Sequence, residues 1–291
     1  MRYSRPHTVI GTTLSVLGVY AIAVREAPGG GVSWALPALT LLSCLGANIY
    51  IVGLNQIIDV PIDRINKPHL PVAAGVFSIP LAWGINLTAL VVALAIAVSL
   101  GRYLLLTVGI SLILGTLYST PPIRLKRFHF WAAACIFTVR GLVVNLFLYL
   151  HFRHYLSGEA VLSPAIVSLT LFMVGLSLVI AWFKDLPDME GDRSYRIMTL
   201  TLRVGPERVF RIGMAVLTVC YGGILIAAGM GIPGVNREVA VAGHGLALLG
   251  LWLRAARVDP VDKQATGRFY QFVWRLFFLE YLLFPLACWW G

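Results

Sequence analysis

The chain has 291 residues, of which 58% are hydrophobic and only 12% are charged. Soluble globular domains are about 45–50% apolar and about 25% charged, so this composition excludes a soluble enzyme and indicates a polytopic membrane protein. The formal net charge of +10 is typical of basic loops on one side of a membrane, and no nucleic-acid partner is expected.

Nine apolar segments are long enough to cross a bilayer, which requires about 20 residues in a helix. They cover residues 8–24, 35–58, 79–100, 103–119, 131–151, 163–183, 209–230, 239–256 and 270–289. Each is predicted to be a helix, because backbone groups in lipid must pair within their own segment. The sequence therefore predicts an all-α membrane bundle in a single domain, residues 1–291.

The basic residues are distributed unequally between the two sets of loops. Four lie on one side (Arg25, Arg102, Arg153 and Arg237), two lie within spans (Arg140 and Arg275), and the remaining 17 of the 23 lie on the side of the N-terminus. Cytoplasmic loops carry the excess of Lys and Arg, which predicts that this side faces the cytoplasm. Nine of the 13 acidic residues lie on the same side, which the charge rule does not explain.

A first acidic cluster follows the second span. Asn55, Asp59 and Asp63 are four residues apart, so they share one helix face, where like charges repel unless a cation lies between them. Pro61 is expected to tighten or kink the turn between the two aspartates.

A second acidic cluster follows the sixth span and contains Asp185, Asp188, Glu190 and Asp192. Carboxylates in this number suit Mg²⁺, which commonly binds one or two carboxylates together with substrate phosphates. The alternative is a set of solvated loop acids, and Ca²⁺ is the weaker metal because no EF-hand pattern is present. Two similarly spaced clusters on one side favour a metal-bound diphosphate.

Basic and intramembrane residues complete the candidate site. Arg124, Lys126 and Arg127 follow Tyr118 at the end of the fourth span. They either neutralise a diphosphate or belong to the ordinary excess of basic residues in cytoplasmic loops. Arg140 and Glu280 lie inside spans. Because charged residues within a membrane are costly, each is a candidate for a functional role. Arg140 is a candidate for binding a substrate carboxylate, with an interhelical ion pair or a phosphate contact as alternatives.

These motifs resemble those of the UbiA superfamily of intramembrane prenyltransferases, whose signatures are NxxxDxxxD and DxxxD. Here they correspond to Asn55, Asp59 and Asp63, and then to Asp188 and Asp192. The resemblance implies nine transmembrane helices around a central cavity with a cytoplasmic cap. Segments 4–16, 48–71, 107–128, 138–145, 183–192 and 269–287 are similar to members that prenylate homogentisate. Pro61 departs from the pattern, because a further acid is expected there.

The resemblance implies an Mg²⁺-dependent transfer of a phytyl group from its diphosphate to homogentisate, with loss of CO₂, on the way to tocopherols. The residues that carry over as catalytic are Asp59, Asp63, Asp188 and Asp192. The metal ligands would be these four with Asn55 and Asp185. The implied substrate-binding residues are Arg64, Lys67, Tyr118, Arg124, Lys126, Arg140, Asn145 and Lys184.

Several alternatives stay open from the sequence. Within the family they are homogentisate geranylgeranyl or solanesyl transfer, chlorophyll synthesis and quinone prenylation. From a different class, a membrane transporter also combines many spans with intramembrane charges, although transporters place ion sites near the midplane. The expected location is a bacterial inner membrane or a thylakoid membrane, with membrane lipid as a partner and the active site facing the cytoplasm.

Overall fold

The computed structural model describes residues 3–27, 29, 33–194 and 198–291. These residues form helices joined by short connections. The helices are α1 (Pro6–Arg25), α2 (Ala35–Ile58), α3 (Val60–Asn66), α4 (Ile79–Ser99), α5 (Arg102–Ser119), α6 (His129–Phe137), α7 (Val144–Ser157), α8 (Pro164–Phe183), α9 (Met189–Ser194), α10 (Leu200–Val204), α11 (Pro206–Met230), α12 (Arg237–Ala255) and α13 (Lys263–Trp289).

A π-helical segment, Thr138–Val143, joins α6 and α7 into one continuous helix of 29 residues, His129–Ser157. With this helix counted once, the described residues contain nine long helices, which confirms the predicted all-α membrane bundle. Eight of them are long and apolar enough to cross a membrane. The ninth, α12, has 19 residues but carries Glu238, His244 and Arg254, which lower its mean hydropathy.

The helix starts follow local sequence signals. Ser78, Ser163 and Asn236 each accept a hydrogen bond from a backbone N–H three residues later, at the starts of α4, α8 and α12. Such N-caps satisfy donors that have no partner within the helix. Most predicted spans agree with the helices to within three residues. There are two exceptions. The helix of the fifth span continues beyond residue 151 to Ser157, and α13 already begins at Lys263, because its first two turns are polar and fall outside a hydropathy-based span.

The alternating direction of the long helices creates two distinct ends of the bundle. At one end, Arg25 Nη2 donates to Gly291 O over 2.9 Å and Trp289 Nε1 donates to Ala21 O over 3.0 Å, so the end of α1 meets the end of α13. The starts of α1 and α13 therefore lie at the opposite end, together with the last residues of α2, α5 and α8. We call this opposite end the charged face, because both acidic clusters lie there.

Candidate active site

A cavity of about 710 Å³ opens at the charged face. We call it the polar chamber. Its walls combine acidic, basic and amide side chains with a few apolar ones. They include Arg5, His7, Asn55, Asp59, Asp63, Asn66, Lys67, His69, Tyr118, Lys126, Lys184, Asp185, Asp188, Asp192, Thr199, Lys263, Tyr270 and Gln271.

A second cavity of about 240 Å³ continues from the polar chamber into the bundle. We call it the tunnel. Six residues line both cavities: Arg5, His7, Asn55, Tyr118, Lys184 and Tyr270. The tunnel wall beyond them is mostly apolar and includes Val16, Ala47, Ile51, Val108, Leu148, Ile180, Trp274, Phe277 and Tyr281. The two cavities therefore join a charged compartment to an apolar one.

The first acidic cluster lies at a break between two helices. α2 ends at Ile58 and α3 begins at Val60, with Asp59 between them at φ −97° and ψ 12°. Pro61 lies in the first turn of α3, where a proline costs no helical hydrogen bond. The Asp63 N–H still donates to Asp59 O over 2.8 Å, so both carboxylates stay on the chamber side. Each is only 5% exposed.

Asp59 is surrounded by hydrogen-bond donors. Its Oδ1 accepts from Arg124 Nη2 over 2.8 Å, and its Oδ2 accepts from Asn55 Nδ2 over 2.8 Å and from Lys126. Asn55 Nδ2 also donates to Ser119 Oγ over 3.3 Å at the end of α5. The basic segment after α5 is thus held against the first acidic cluster, which joins two motifs that lie 65 residues apart.

The second acidic cluster is bound to the first by contacts across the chamber. Lys67, just after α3, forms an ion pair with Asp188. Asn66 Oδ1 accepts a hydrogen bond from the Gly191 N–H over 3.0 Å. Gly191 permits this approach, because a side chain there would collide with Asn66. α3 and α9 therefore pack together and bring both clusters to one cavity.

Two of the chamber carboxylates differ from the others. In the part of the chain that the structure describes, Asp59, Asp185 and Asp188 each form an ion pair, whereas Asp63 and Asp192 form none. The Asp63 Oδ2 atom is buried and accepts no hydrogen bond from any residue that the structure describes. Burial raises the pKa of Asp63 to about 6. Burial, with a further contribution from nearby Asp185, raises the pKa of Asp192 to about 7.

No three His, Cys, Asp or Glu side chains among the described residues are grouped closely enough to hold one metal ion. Lysines lie between the carboxylates instead: Lys184 Nζ is 2.5 Å from Asp185 Oδ1, and Lys67 and Lys126 contact Asp188 and Asp59. The donor set nevertheless fits a hard divalent cation, because it consists of carboxylate oxygens and one of them, Asp63 Oδ2, is buried without a partner.

The predicted substrate-binding residues are placed differently from one another. Lys67, Tyr118, Lys126 and Lys184 line the polar chamber. Arg124 reaches the site through its ion pair with Asp59. Arg140 lines the tunnel, one compartment away from the acidic clusters.

Two of the predicted substrate contacts do not reach either cavity. Arg64 is exposed on the outer side of α3, and it lines neither cavity. Asn145 is fully buried, and its amide is engaged by Arg140 O, Gly141 O and the Tyr281 hydroxyl. Asn145 instead binds the backbone of the π-helical segment and α13, so its amide is not directed to either cavity.

Sequence reasoning missed several residues at the junction between the cavities. Arg5, with φ 52°, precedes Pro6 at the start of α1 and lines both cavities. His7 also lines both, and its ring packs on Trp274 with the centroids 4.8 Å apart. The sequence Arg5-Pro6-His7 at the charged end of the first span could have indicated them. It was passed over because basic residues commonly precede a first membrane helix.

The geometry of two acidic clusters at the mouth of an apolar tunnel agrees with a profile match. The profile of the UbiA prenyltransferase family matches residues 14–277. This chain belongs to the UbiA prenyltransferase family. It is therefore a multi-pass membrane enzyme that transfers prenyl groups, and the transporter alternative is excluded.

Similar family members cover nearly the whole of this UbiA prenyltransferase. Homogentisate phytyltransferase of Synechocystis sp. is 52% identical, over 99% of this chain and 94% of the relative. Homogentisate geranylgeranyltransferase of Hordeum vulgare is 37% identical over 98% of this chain and 71% of the relative. Homogentisate solanesyltransferase of Arabidopsis thaliana is also 37% identical, over 98% of this chain and 75% of the relative.

Solved structures share the fold at low sequence identity. A UbiA homolog from Archaeoglobus fulgidus, bound to GPP and Mg²⁺, aligns with a TM-score of 0.64 and 18% identity over 98% of each chain. A digeranylgeranylglyceryl phosphate synthase aligns with a TM-score of 0.68 and 17% identity, over 100% of this chain and 97% of the other. Identities this low establish the common fold alone.

Proposed function

We propose that this UbiA prenyltransferase transfers a phytyl group from phytyl diphosphate to homogentisate and releases the homogentisate carboxyl group as CO₂. The product is 2-methyl-6-phytyl-1,4-benzoquinol, a precursor of tocopherols. The 52% identity to the Synechocystis homogentisate phytyltransferase supports both substrates. The observation that carries the proposal is the union of a charged chamber with an apolar tunnel, which matches a diphosphate head on a hydrocarbon chain.

We infer that the chamber carboxylates hold Mg²⁺, with Asp63 and Asp192 as the ligands that form no ion pair with a described basic residue. Asp59, Asp185, Asp188 and Asn55 complete the proposed set. The A. fulgidus homolog, bound to GPP and Mg²⁺, supports this metal. When bound, Mg²⁺ supplies positive charge that stabilises the diphosphate as it leaves.

The basic residues have a second role in this proposal. Lys67, Lys126 and Lys184 neutralise carboxylates in the structure, and all three also line the polar chamber. When a cation takes over the carboxylates, their ammonium groups are free to donate hydrogen bonds to diphosphate oxygens. Arg5, at the junction with the tunnel, can do the same. Charge-assisted hydrogen bonds of this kind are roughly twice as strong as neutral ones.

The reaction balances without a dedicated general base. The allylic C–O bond breaks and its electron pair stays on the departing diphosphate, while the electron-rich ring of homogentisate forms the new C–C bond with the allylic carbon. The ring carbon loses one proton, for which the departing diphosphate is an acceptor. Loss of the carboxylate as CO₂ leaves electrons on the side-chain carbon, which takes up one proton and becomes the methyl group. The apolar tunnel excludes water from the allylic cation.

We infer that the polar chamber faces the cytoplasm, since the charged face carries most of the loop Lys and Arg residues. The bilayer would then be a bacterial inner membrane or a thylakoid membrane. This orientation delivers water-soluble homogentisate from the cytoplasm, while the phytyl chain enters from the lipid.

The test is an assay on purified protein in detergent with Mg²⁺, phytyl diphosphate and homogentisate labelled with ¹⁴C in the carboxyl group. The expected result is labelled CO₂ in a one-to-one ratio with the methyl-phytyl-quinol product. Prenylation of another aromatic acceptor, with no labelled CO₂ released from homogentisate, would contradict the proposal that homogentisate is the acceptor. Geranylgeranyl or solanesyl diphosphate in parallel reactions would reveal a different donor.

A further inference from the structure

Arg140 is a basic side chain on the wall of the tunnel, within a membrane span. Its Cζ atom lies 4.8 Å from the centroid of the Trp274 ring. Across the residues that the structure describes, its guanidinium forms no ion pair. A cation in a span is costly, and it commonly marks a substrate site when no protein counter-ion is present.

The backbone that carries Arg140 is unusual. Arg140 lies in the π-helical segment Thr138–Val143, and isolated π-helical turns within α-helices often occur at functional sites. Gly141 lets this segment approach α8, because a Cβ at that position would lie 2.7 Å from Val174 Cα. The backbone that carries Arg140 is therefore packed closely against α8, which restricts the position of the Arg140 side chain.

Asn145 and Tyr281 hold this backbone in place. Asn145 Nδ2 donates to Gly141 O over 2.7 Å and to Arg140 O over 3.2 Å. The Tyr281 hydroxyl, on α13, donates to Asn145 Oδ1 over 2.7 Å. Two carbonyls of the π-helical segment thus accept from one amide, which is itself held by a hydrogen bond from α13.

A second donor lies beside Arg140. The Nε1 atom of Trp274 is buried and has no hydrogen bond of ordinary geometry among the described residues, although the Tyr270 side chain lies nearby. Trp274 is four residues beyond Tyr270, which lines both cavities, so it lies about one helical turn inside the tunnel mouth. Two adjacent donor groups in an apolar wall favour a bound group with acceptor oxygen atoms.

We propose that Arg140 and Trp274 form the subsite for the carboxylate of the aromatic acceptor, with Asn145 and Tyr281 as positioning residues. This inference rests on the proposed function. The planar guanidinium matches a carboxylate better than an ammonium group does. The lysines of the polar chamber already provide for the diphosphate, so the charge in the tunnel is matched to a single small anion. An acetate arm bound there leaves the ring at the tunnel mouth, beside the reacting carbon.

The first test replaces Arg140 by Gln and uses Arg275→Gln as the matched control, because Arg275 is exposed on the outer side of α13. The KM for homogentisate should rise about 10- to 100-fold in Arg140→Gln, the usual cost of a lost charged hydrogen bond. The KM for phytyl diphosphate should stay within about twofold of wild type. The Arg275→Gln variant should leave all constants unchanged.

Methylhydroquinone, an acceptor analogue without a carboxylate, separates loss of the subsite from loss of the fold. Its inhibition constant against homogentisate should be the same in wild type and in Arg140→Gln. An unchanged homogentisate KM in Arg140→Gln would overturn the subsite alone, and so would an equal loss of affinity for both ligands. No turnover of homogentisate by the wild type would instead overturn the proposed function.

The positioning role is tested by Tyr281→Phe, with Tyr20→Phe as its control. The Tyr20 hydroxyl donates to Ser33 O at the opposite end of the bundle, so both variants lose one buried hydroxyl. Tyr281→Phe should raise the KM for homogentisate about 3- to 10-fold without changing kcat, while Tyr20→Phe should change neither. A fall in kcat with an unchanged KM, or equal effects of the two variants, would contradict the positioning role.

Discussion

The polar chamber and the tunnel are adjacent, but the chamber wall is highly charged and the tunnel wall is mostly apolar. The chamber gathers five aspartates and several lysines, and it neutralises three of the aspartates by ion pairs. The tunnel is mostly apolar and contains Arg140 as a cation without an ion pair among the described residues. The comparison teaches that the chamber wall offers both charges to a polar ligand, whereas the tunnel wall suits an apolar chain except at Arg140.

The largest effect on activity is expected from removing a carboxylate of the polar chamber. Asp63→Asn should lower kcat by roughly three orders of magnitude, since a catalytic metal contributes several kcal/mol to stabilisation of the leaving group. Steady-state assays with phytyl diphosphate and homogentisate check this. The melting temperature without metal should stay the same or rise, because the variant buries no carboxylate.

The matched control for that variant is Asp259→Asn, which makes the same charge change on an exposed loop of the charged face. Its activity should equal that of wild type. Retention of more than about a tenth of the wild-type kcat by Asp63→Asn would remove this aspartate from the proposed metal site.

The next effect concerns the tunnel and chain length. Val108→Phe should lower kcat/KM for phytyl diphosphate by about 10- to 100-fold, because Val108 is only 1% exposed and overfilling a packed wall costs about 1–3 kcal/mol. Dimethylallyl diphosphate, with its short chain, should be turned over at the wild-type rate. Val219→Phe, at a site that is 72% exposed on α11, is the control. Equal losses for both donors would argue against the tunnel as the chain site.

A pH titration sharpens the difference between the paired and unpaired acids. A carboxylate must be ionised to bind a cation, and the pKa values of Asp63 and Asp192 are raised to about 6 and about 7. Mg²⁺-dependent binding of phytyl diphosphate should therefore tighten from pH 5.5 to pH 7.5, by about tenfold or more. In Asp63→Asn the remaining dependence should be weaker and follow Asp192. An identical pH profile in the variant would show that the diphosphate alone titrates.

The same pKa shifts predict how the metal-free protein responds to pH. Both folded-state pKa values lie above the ordinary value of 3.8, so the folded protein retains protons that the unfolded chain has lost. Stability from these groups is thus greatest below about pH 4 and declines as the pH rises toward 7. Added Mg²⁺ should raise the melting temperature more at pH 7.5 than at pH 5.5.

The smallest effect on activity is expected from an ionisable pair outside both cavities. Glu280 lies 3.2 Å from His244 Nε2, where it joins α13 to α12, and neither residue lines the chamber or the tunnel. Glu280→Gln should lower stability by about 1–3 kcal/mol and leave both KM values unchanged. Thermal unfolding in detergent measures the first and kinetics the second. Glu238→Gln, on the exposed start of α12, is the control, and a changed KM in Glu280→Gln would link this pair to the site.

The sequence predicted the fold and the acidic clusters because these depend on local patterns. Apolar length defines the spans, and four-residue spacing places Asp59 and Asp63 together, although the helix breaks between them. The ion pairs could not be predicted from the sequence, because they join distant positions; Lys67 and Asp188, for example, are 121 residues apart. Asn145 was assigned to substrate, but the structure engages its amide with backbone carbonyls and with Tyr281, which lies 136 positions away. Arg5 and His7 were missed because they resemble ordinary residues before a first membrane helix.

The most direct test of the division between the two cavities is the dissociation constant of phytyl diphosphate, measured with and without Mg²⁺ in wild type and in Asp63→Asn. The account predicts that Mg²⁺ tightens binding to the wild type at least about tenfold and that Asp63→Asn loses most of this gain. In the absence of metal, both proteins should bind the donor equally through the tunnel and the lysines. Metal-independent binding to the wild type, or an undiminished Mg²⁺ effect in the variant, would contradict the account.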